Sequence, residues 1–167
     1  VSVKFSDESD VQAVEDVTLT VHDGQKIALV GETGSGKSVL LLAILRLLPE
    51  TAIVKGQVLY QGEDLLALKK KQLNKIRGAE ISYVPQGGIS AGANLVLADE
   101  PSKGLDEKRV SLVVDAFNQL KDEGLLCVTH DMMFAGRISD HICVLYAAQQ
   151  VEYGPTEEML KNPLHPY

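Results

Sequence analysis

Apolar residues in this chain fall into short runs of two periods, and their alternation predicts an α/β architecture. Residues 26–30 (Lys-Ile-Ala-Leu-Val), 94–98 (Asn-Leu-Val-Leu-Ala), 125–129 (Leu-Leu-Cys-Val-Thr) and 81–86 (Ile-Ser-Tyr-Val-Pro-Gln) are nearly continuous apolar stretches of strand length. Such runs suit strands covered on both faces, as in a parallel sheet. Helical spacing recurs between and beyond them. Val110, Val113, Val114, Phe117 and Leu120 mark a helix over 106–123, and Leu65, Leu68 and Leu73 mark another over 64–77. An apolar helix over 39–48 is ended by Pro49, and 132–138 reads as a short helix. Towards both ends of the chain the period drops to two. Residues 17–21 alternate as a half-buried strand with 1–5 as partner, and 53–60 alternate around Gly56 as an edge strand. Residues 141–146 and 149–153 form a hairpin over Ala147-Ala148. The expectation is one α/β domain spanning 1–167, with a mainly parallel core and an antiparallel β subdomain.

Chemistry enters where the first buried run meets a helix. Gly31-Glu32-Thr33-Gly34-Ser35-Gly36-Lys37-Ser38 fits the phosphate-binding pattern G-x-x-x-x-G-K-[ST] at every fixed position, between a strand and a helix. Backbone N–H groups and the positive end of a helix dipole then converge on one point, which suits a polyphosphate. Lys37 reaches the β- and γ-phosphates, and the Ser38 hydroxyl serves magnesium.

Three other strands end in groups suited to the same ligand. Asp99 follows a buried run, where an acid reaches the metal, and Glu100 points elsewhere as a general base for an attacking water. His130 ends the 125–129 strand, at the end of the sheet where open α/β folds bind ligands. Gln86 ends the 81–86 strand, in reach of the metal or the water.

Composition narrows the picture. A net charge of −7 argues against a nucleic-acid surface, which is normally basic. Lys69-Lys70-Lys71 reads as the solvated face of a helix. Cys127 and Cys143 lie in apolar runs and read as buried thiols. No secretory leader opens the sequence, and the longest apolar run, 39–48, contains Arg46 and is too short to cross a bilayer.

Taken in order, GETGSGKS, YVPQ, LVLADEP, GLD and VTHD resemble the nucleotide-binding subunits of ABC transporters. The resemblance implies a P-loop NTPase core that binds ATP with Mg2+. It assigns Gln86 to the Q-loop, Asp99 to the metal, Glu100 to catalysis, Gly104-Leu105-Asp106 to the D-loop and His130 to the switch position. It also puts the adenine contact just upstream of the loop, where Val11 offers apolar surface. The implied partners are transmembrane permease subunits and a second ATPase subunit, alike or different. The implied location is cytoplasmic, at the inner face of the cell membrane.

One departure stands out. The family places a helical subdomain and an LSGGQ signature between the Q-loop and the Asp-Glu strand. Here only Gly87-Gly88-Ile89-Ser90-Ala91-Gly92-Ala93 separates Gln86 from Asn94. Engineered removal, natural loss, or residues left out of the sequence would each produce that gap. Residues 60–66, 76–78 and 154–167 are similar to the ATPases of peptide and nickel importers. The expectation is an importer subunit that binds MgATP and hydrolyses it slowly. The alternatives are a nucleotide-dependent interaction module and an ABC-type DNA-repair ATPase; the acidic charge and the importer-like tail weigh against the second.

Overall fold

The computed structural model describes residues 1–6, 11–85 and 92–162. In chain order its first elements are β1 (Ser2–Phe5), β2 (Gln12–Val14), β3 (Lys26–Val30), α1 (Lys37–Ile44), β4 (Ala52–Lys55), β5 (Leu59–Tyr60), β6 (Glu63–Asp64) and α2 (Lys70–Ile76). There follow β7 (Ile81–Val84), β8 (Leu95–Asp99), α3 (Glu107–Asn118), β9 (Gly124–Thr129), α4 (Met132–Ile138), β10 (His141–Tyr146), β11 (Gln149–Pro155) and α5 (Thr156–Lys161).

The central sheet has the order β11-β10-β3-β9-β8-β7, parallel throughout except for the edge strand β11. Its inner strands are buried on both faces, as their unbroken apolar runs require; every residue of β9 is buried. Successive side chains point to opposite faces, so the runs split into two packing sets. Ile27, Leu29, Leu97, Leu126 and Val128 pack with Leu40 and Leu41 of α1. Val96, Ala98, Leu125 and Cys127 pack instead with Val113, Val114 and Phe117 of α3 and Phe134 of α4. A smaller cluster joins Ala28, Val30, Ile142 and Val144 to Ala135 and Met159. Beside this core, β1 lies between β2 and β4, antiparallel to both. The expected parallel core and antiparallel subdomain are both present. Cys127 and Cys143 are free, buried thiols, as expected.

Several boundaries differ from the sequence expectation, each for a local reason. Helix α1 stops at Ile44, ahead of Pro49, because Arg46 takes a left-handed conformation at φ 52°. The helix expected over 64–77 is only α2. The Asp64 carboxylate accepts from the Val58 and Leu66 amides, each at 3.1 Å, and so holds a turn where the helix would begin. The strand expected over 53–60 is cut at Gly56 (φ 105°) into β4, paired with β1, and β5, paired with β6. Residues 17–21 keep their alternating burial without a ladder among the described residues, and only Val17 exchanges backbone hydrogen bonds with Val1. The hairpin of β10 and β11 forms as expected, with Ala147 and Ala148 both at positive φ (47° and 70°), the geometry of a tight two-residue turn. Thr156 is the first residue of α5, and its hydroxyl is 3.0 Å from that of Ser139.

Candidate active site

The carboxyl ends of β3, β9 and β8 lie side by side, and the loop 31–38 leaves the first of them. Glycine is sterically required at two points of that loop. At Gly31 (φ 151°) a Cβ would lie 2.0 Å from the Leu145 carbonyl oxygen. At Gly36 (φ 96°) it would lie 2.1 Å from the Ala13 carbonyl oxygen. The chain can therefore turn tightly against β10 and β2 and enter α1 at Lys37. The first turn of α1 and the loop form the cradle, with Glu32, Thr33 and Gly34 at its exposed lip and Ser35 buried beneath.

Lys37 is buried and folded back into the cradle. Its ammonium donates to the carbonyls of Gly31 (2.7 Å) and Glu32 (2.6 Å) and to the Ser35 hydroxyl (3.3 Å). Burial lowers its pKa, and the charges of Glu100, Asp99 and Glu32 oppose that shift. A cation held by two loop carbonyls and a hydroxyl at a helix N-terminus is poised for a polyanion.

Asp99 ends β8 on the face that α1 covers. Its Oδ1 accepts from the Ser38 hydroxyl at 2.8 Å, and its Oδ2 from the Tyr83 hydroxyl at 3.1 Å. Burial, Asp99's charge and the hydrogen bond to Asp99 push the Tyr83 phenol up to about 12, so it remains a donor at neutral pH. Glu100 departs from the strand geometry. It sits at φ 50°, costly for a residue with a Cβ, and its amide donates to the Val128 carbonyl at 2.9 Å. This backbone turn sends its carboxylate sideways, away from Asp99's pairing, onto His130. Both Glu100 oxygens lie 2.9 Å from His130 Nδ1. The Glu100 side chain is 14% exposed and that of His130 53%, so the pair joins a sheltered acid to a solvent-facing ring. Asp131, the next residue, caps α4 by accepting from the Phe134 amide at 3.0 Å.

The structure thus brings together the loop, Lys37, Ser38, Asp99, Glu100 and His130. Gln86 lies outside the described residues. Asp106 caps α3, accepting from the Arg109 amide at 2.9 Å. Val11 is half exposed just ahead of β2, whose Ala13 carbonyl abuts the Gly36 turn. Sequence reasoning missed Tyr83. It pairs in register with Leu97, two residues before Asp99 on the same face, and that register is not contained in either strand's own pattern.

These groups fit a magnesium–nucleotide pair. The ammonium and glycine turn suit phosphates, and the Ser38 hydroxyl against the Asp99 carboxylate is a hard oxygen pair of the kind magnesium takes. Among the described residues no three His, Cys, Asp or Glu side chains cluster as a metal cage.

Comparison with known proteins points the same way. The family model for ABC transporters matches residues 14–130. The chain is 27% identical to the dipeptide transport ATP-binding protein DppD of Caldanaerobacter subterraneus subsp. tengcongensis over 233 residues, covering 96% of this chain and 72% of the relative. It is 25% identical to the oligopeptide transport ATP-binding protein OppD of Bacillus subtilis, covering 95% of this chain and 65% of the relative. The DppD alignment, at 233 residues, is longer than the 167-residue chain, so the relative carries a stretch with no counterpart here. The fold matches the dimeric structure of MJ0796, a bacterial ABC transporter cassette, with a TM-score of 0.80, 19% identity and coverage of 93% of this chain and 96% of that one. It matches the ADP- and phosphate-bound, post-hydrolysis MJ0796 dimer with a TM-score of 0.77 and 18% identity. A glycine-turned cradle, an acid beside its serine and an acid–histidine pair stand at adjacent strand ends, and the family model spans them all: the chain belongs to the ABC transporter family, whose ATP-binding subunits are ATP hydrolases.

Proposed function

We propose that this chain is an ABC-type ATP-binding domain that couples nucleotide binding to peptide import through permease partners and a second ATPase subunit. The observation that carries the reading is the convergence of Lys37, the Ser38–Asp99 pair and the Glu100–His130 pair at adjacent strand ends. Peptide cargo is supported by the likeness to DppD and OppD, ATP-binding proteins of dipeptide and oligopeptide transport. No described helix is long and apolar enough to cross a membrane, so crossing falls to the permease. The negative charge favours such partners over nucleic acid.

The chemistry follows from the residues. Triphosphate enters the cradle, and Lys37 exchanges the loop carbonyls for phosphate oxygens. When bound, magnesium would neutralise phosphate charge; Ser38 and Asp99 would hold it, and by the family resemblance Gln86 would be a further ligand. Glu100 accepts a proton from the attacking water while His130 orients the carboxylate from the solvent side. Val11 offers the base an apolar surface. No LSGGQ segment is available to close over a partner's nucleotide. Each missing donor of that kind removes about 3 kcal/mol of transition-state stabilisation, so turnover is slow.

Calorimetry with ATP tests the binding reading. Lys37→Ala should weaken affinity by about 1.5–3 kcal/mol, the usual worth of a charge-assisted contact. Equal affinity in the two proteins would sink it. Steady-state phosphate release tests the slow-turnover reading: brisk hydrolysis that Glu100→Gln abolishes would show that the site completes itself.

A further inference from the structure

Asp99 is the acid on which the metal half of the site depends, and its two oxygens have different partners. Ser38, from α1, donates to Oδ1 at 2.8 Å. Tyr83, from β7, donates to Oδ2 at 3.1 Å. A carboxylate turns about a broad, roughly two-fold torsion. One hydrogen bond leaves its plane free to swing about the bonded oxygen; a second, on the opposite oxygen, fixes that plane. The Tyr83 ring is itself held. It packs half-buried against the α1-side core, and its strand is locked to β8 by the parallel register Tyr83↔Leu97.

We propose that Tyr83 is a positioning residue for Asp99, holding the carboxylate so that the oxygen at Ser38 faces the ion accompanying the nucleotide. This rests on the magnesium–nucleotide reading above. Tyr83 touches neither the phosphates nor the ion in this arrangement; it acts through Asp99. Its loss therefore weakens the ion's contribution to nucleotide binding and leaves the cradle's own contribution intact. Removing partners that orient a metal ligand typically costs 10–100-fold in metal affinity or activity. A single neutral donor at 3.1 Å belongs at the low end of that range.

The experiment is ATP calorimetry on the whole chain and on Tyr83→Phe, first in EDTA and then over a MgCl2 series, with the unliganded melting temperature as control. Affinity in EDTA should be the same for both proteins. The MgCl2 concentration that half-restores tight ATP binding should rise about tenfold in Tyr83→Phe. In an Asp99→Asn background, Tyr83→Phe should add nothing, because its route to the ion is gone. Identical magnesium dependence in the chain and in Tyr83→Phe would overturn the proposal. An equal loss of affinity with and without magnesium would also overturn it, since that marks a purely structural role. If Tyr83→Phe melts early, Tyr83→Trp keeps an aromatic ring and a donor, and magnesium dependence must then track the hydrogen bond to Asp99 rather than the melting temperature. Failure of the unaltered chain to bind ATP both in EDTA and at the highest MgCl2 concentration would sink the nucleotide reading and this one with it; binding with a magnesium dependence that Tyr83→Phe leaves unshifted sinks this one alone.

Discussion

At the carboxyl ends of β3, β8 and β9, side chains of the candidate site meet at hydrogen-bond distance. At the amino ends of β7, β8 and β9, a cavity of about 850 Å³ opens between the sheet, α1, residues 17–23 and the β5–β6 hairpin. Ile81, Leu95 and Gly124 border it, with Leu19 and Leu59 on its walls, and Leu59 is 64% exposed. One end is specified locally, since the loop 31–38 makes its internal contacts within eight residues and strand register supplies the rest. The other depends on two distant stretches, 17–23 and 57–61, which face one another without a described ladder. Alternating side chains are enough to bury half of each stretch, but a ladder also needs a neighbour at the right height and direction.

If that contrast is right, equivalent backbone changes must differ in cost. Gly31→Ala puts a methyl 2.0 Å from a β10 carbonyl, in a strand that cannot give way without disturbing β3. We expect a loss of about 3 kcal/mol, from overpacking and strain combined, and failure to bind ATP. Gly62→Ala, in the β5–β6 turn at the cavity end, also has positive φ (84°), but nothing lies within 4 Å of the new Cβ. Only the left-handed penalty remains, about 1 kcal/mol. Urea unfolding of the two variants separates the cases, and equal losses would mean that the loop is not anchored to β10 as described.

Core truncation sharpens the same comparison. Leu41 is fully buried in α1 against the sheet, and Leu41→Ala should cost about 2–5 kcal/mol. Leu19 is only partly buried and already borders open space, so Leu19→Ala removes few contacts and should cost about 1 kcal/mol. Similar costs for the two would mean that the cavity wall is as tightly packed as the core.

The same division governs what the sequence could reveal. The runs that became β3, β8 and β9 were legible because burial on both faces leaves few polar positions, and the cradle was legible because its geometry lives in eight consecutive residues. Asp99, Glu100 and His130 followed from their places at strand ends. The break at Gly56 and the missing ladder at 17–21 were not legible, because alternation specifies a face and says nothing about a partner. Helix α2 was overextended because leucine spacing continues through residues 65–68, while Asp64's carboxylate, bonded to the Val58 and Leu66 amides, commits that backbone to a turn. Tyr83 escaped because its role depends on the neighbour strand's register, which one strand's pattern does not contain. The positive φ of Glu100 escaped for a related reason: glutamate carries no preference for that conformation, and the turn it belongs to is tied by the Glu100 amide to the Val128 carbonyl of a neighbouring strand.

That strained glutamate yields an effect as small as those of Gly62→Ala and Leu19→Ala, and the most diagnostic one for the locally specified end. Replacing Glu100 with Ala or with Gly removes the same carboxylate and the same His130 contact, so both should lose catalytic function equally. The two differ in backbone alone. At φ 50° Ala keeps the Cβ that clashes in the left-handed region, and Gly does not. The Gly variant should therefore be more stable than the Ala variant by about 1 kcal/mol, in spite of the greater freedom glycine gives the unfolded chain. For a chain of this length that is a melting temperature about 3 °C higher. An Ala variant as stable as the Gly variant would mean that position 100 relaxes into an ordinary conformation once its carboxylate is gone. The turn would then be held by the Glu100–His130 contact, and the carboxyl end would owe its shape to side-chain pairing more than to backbone.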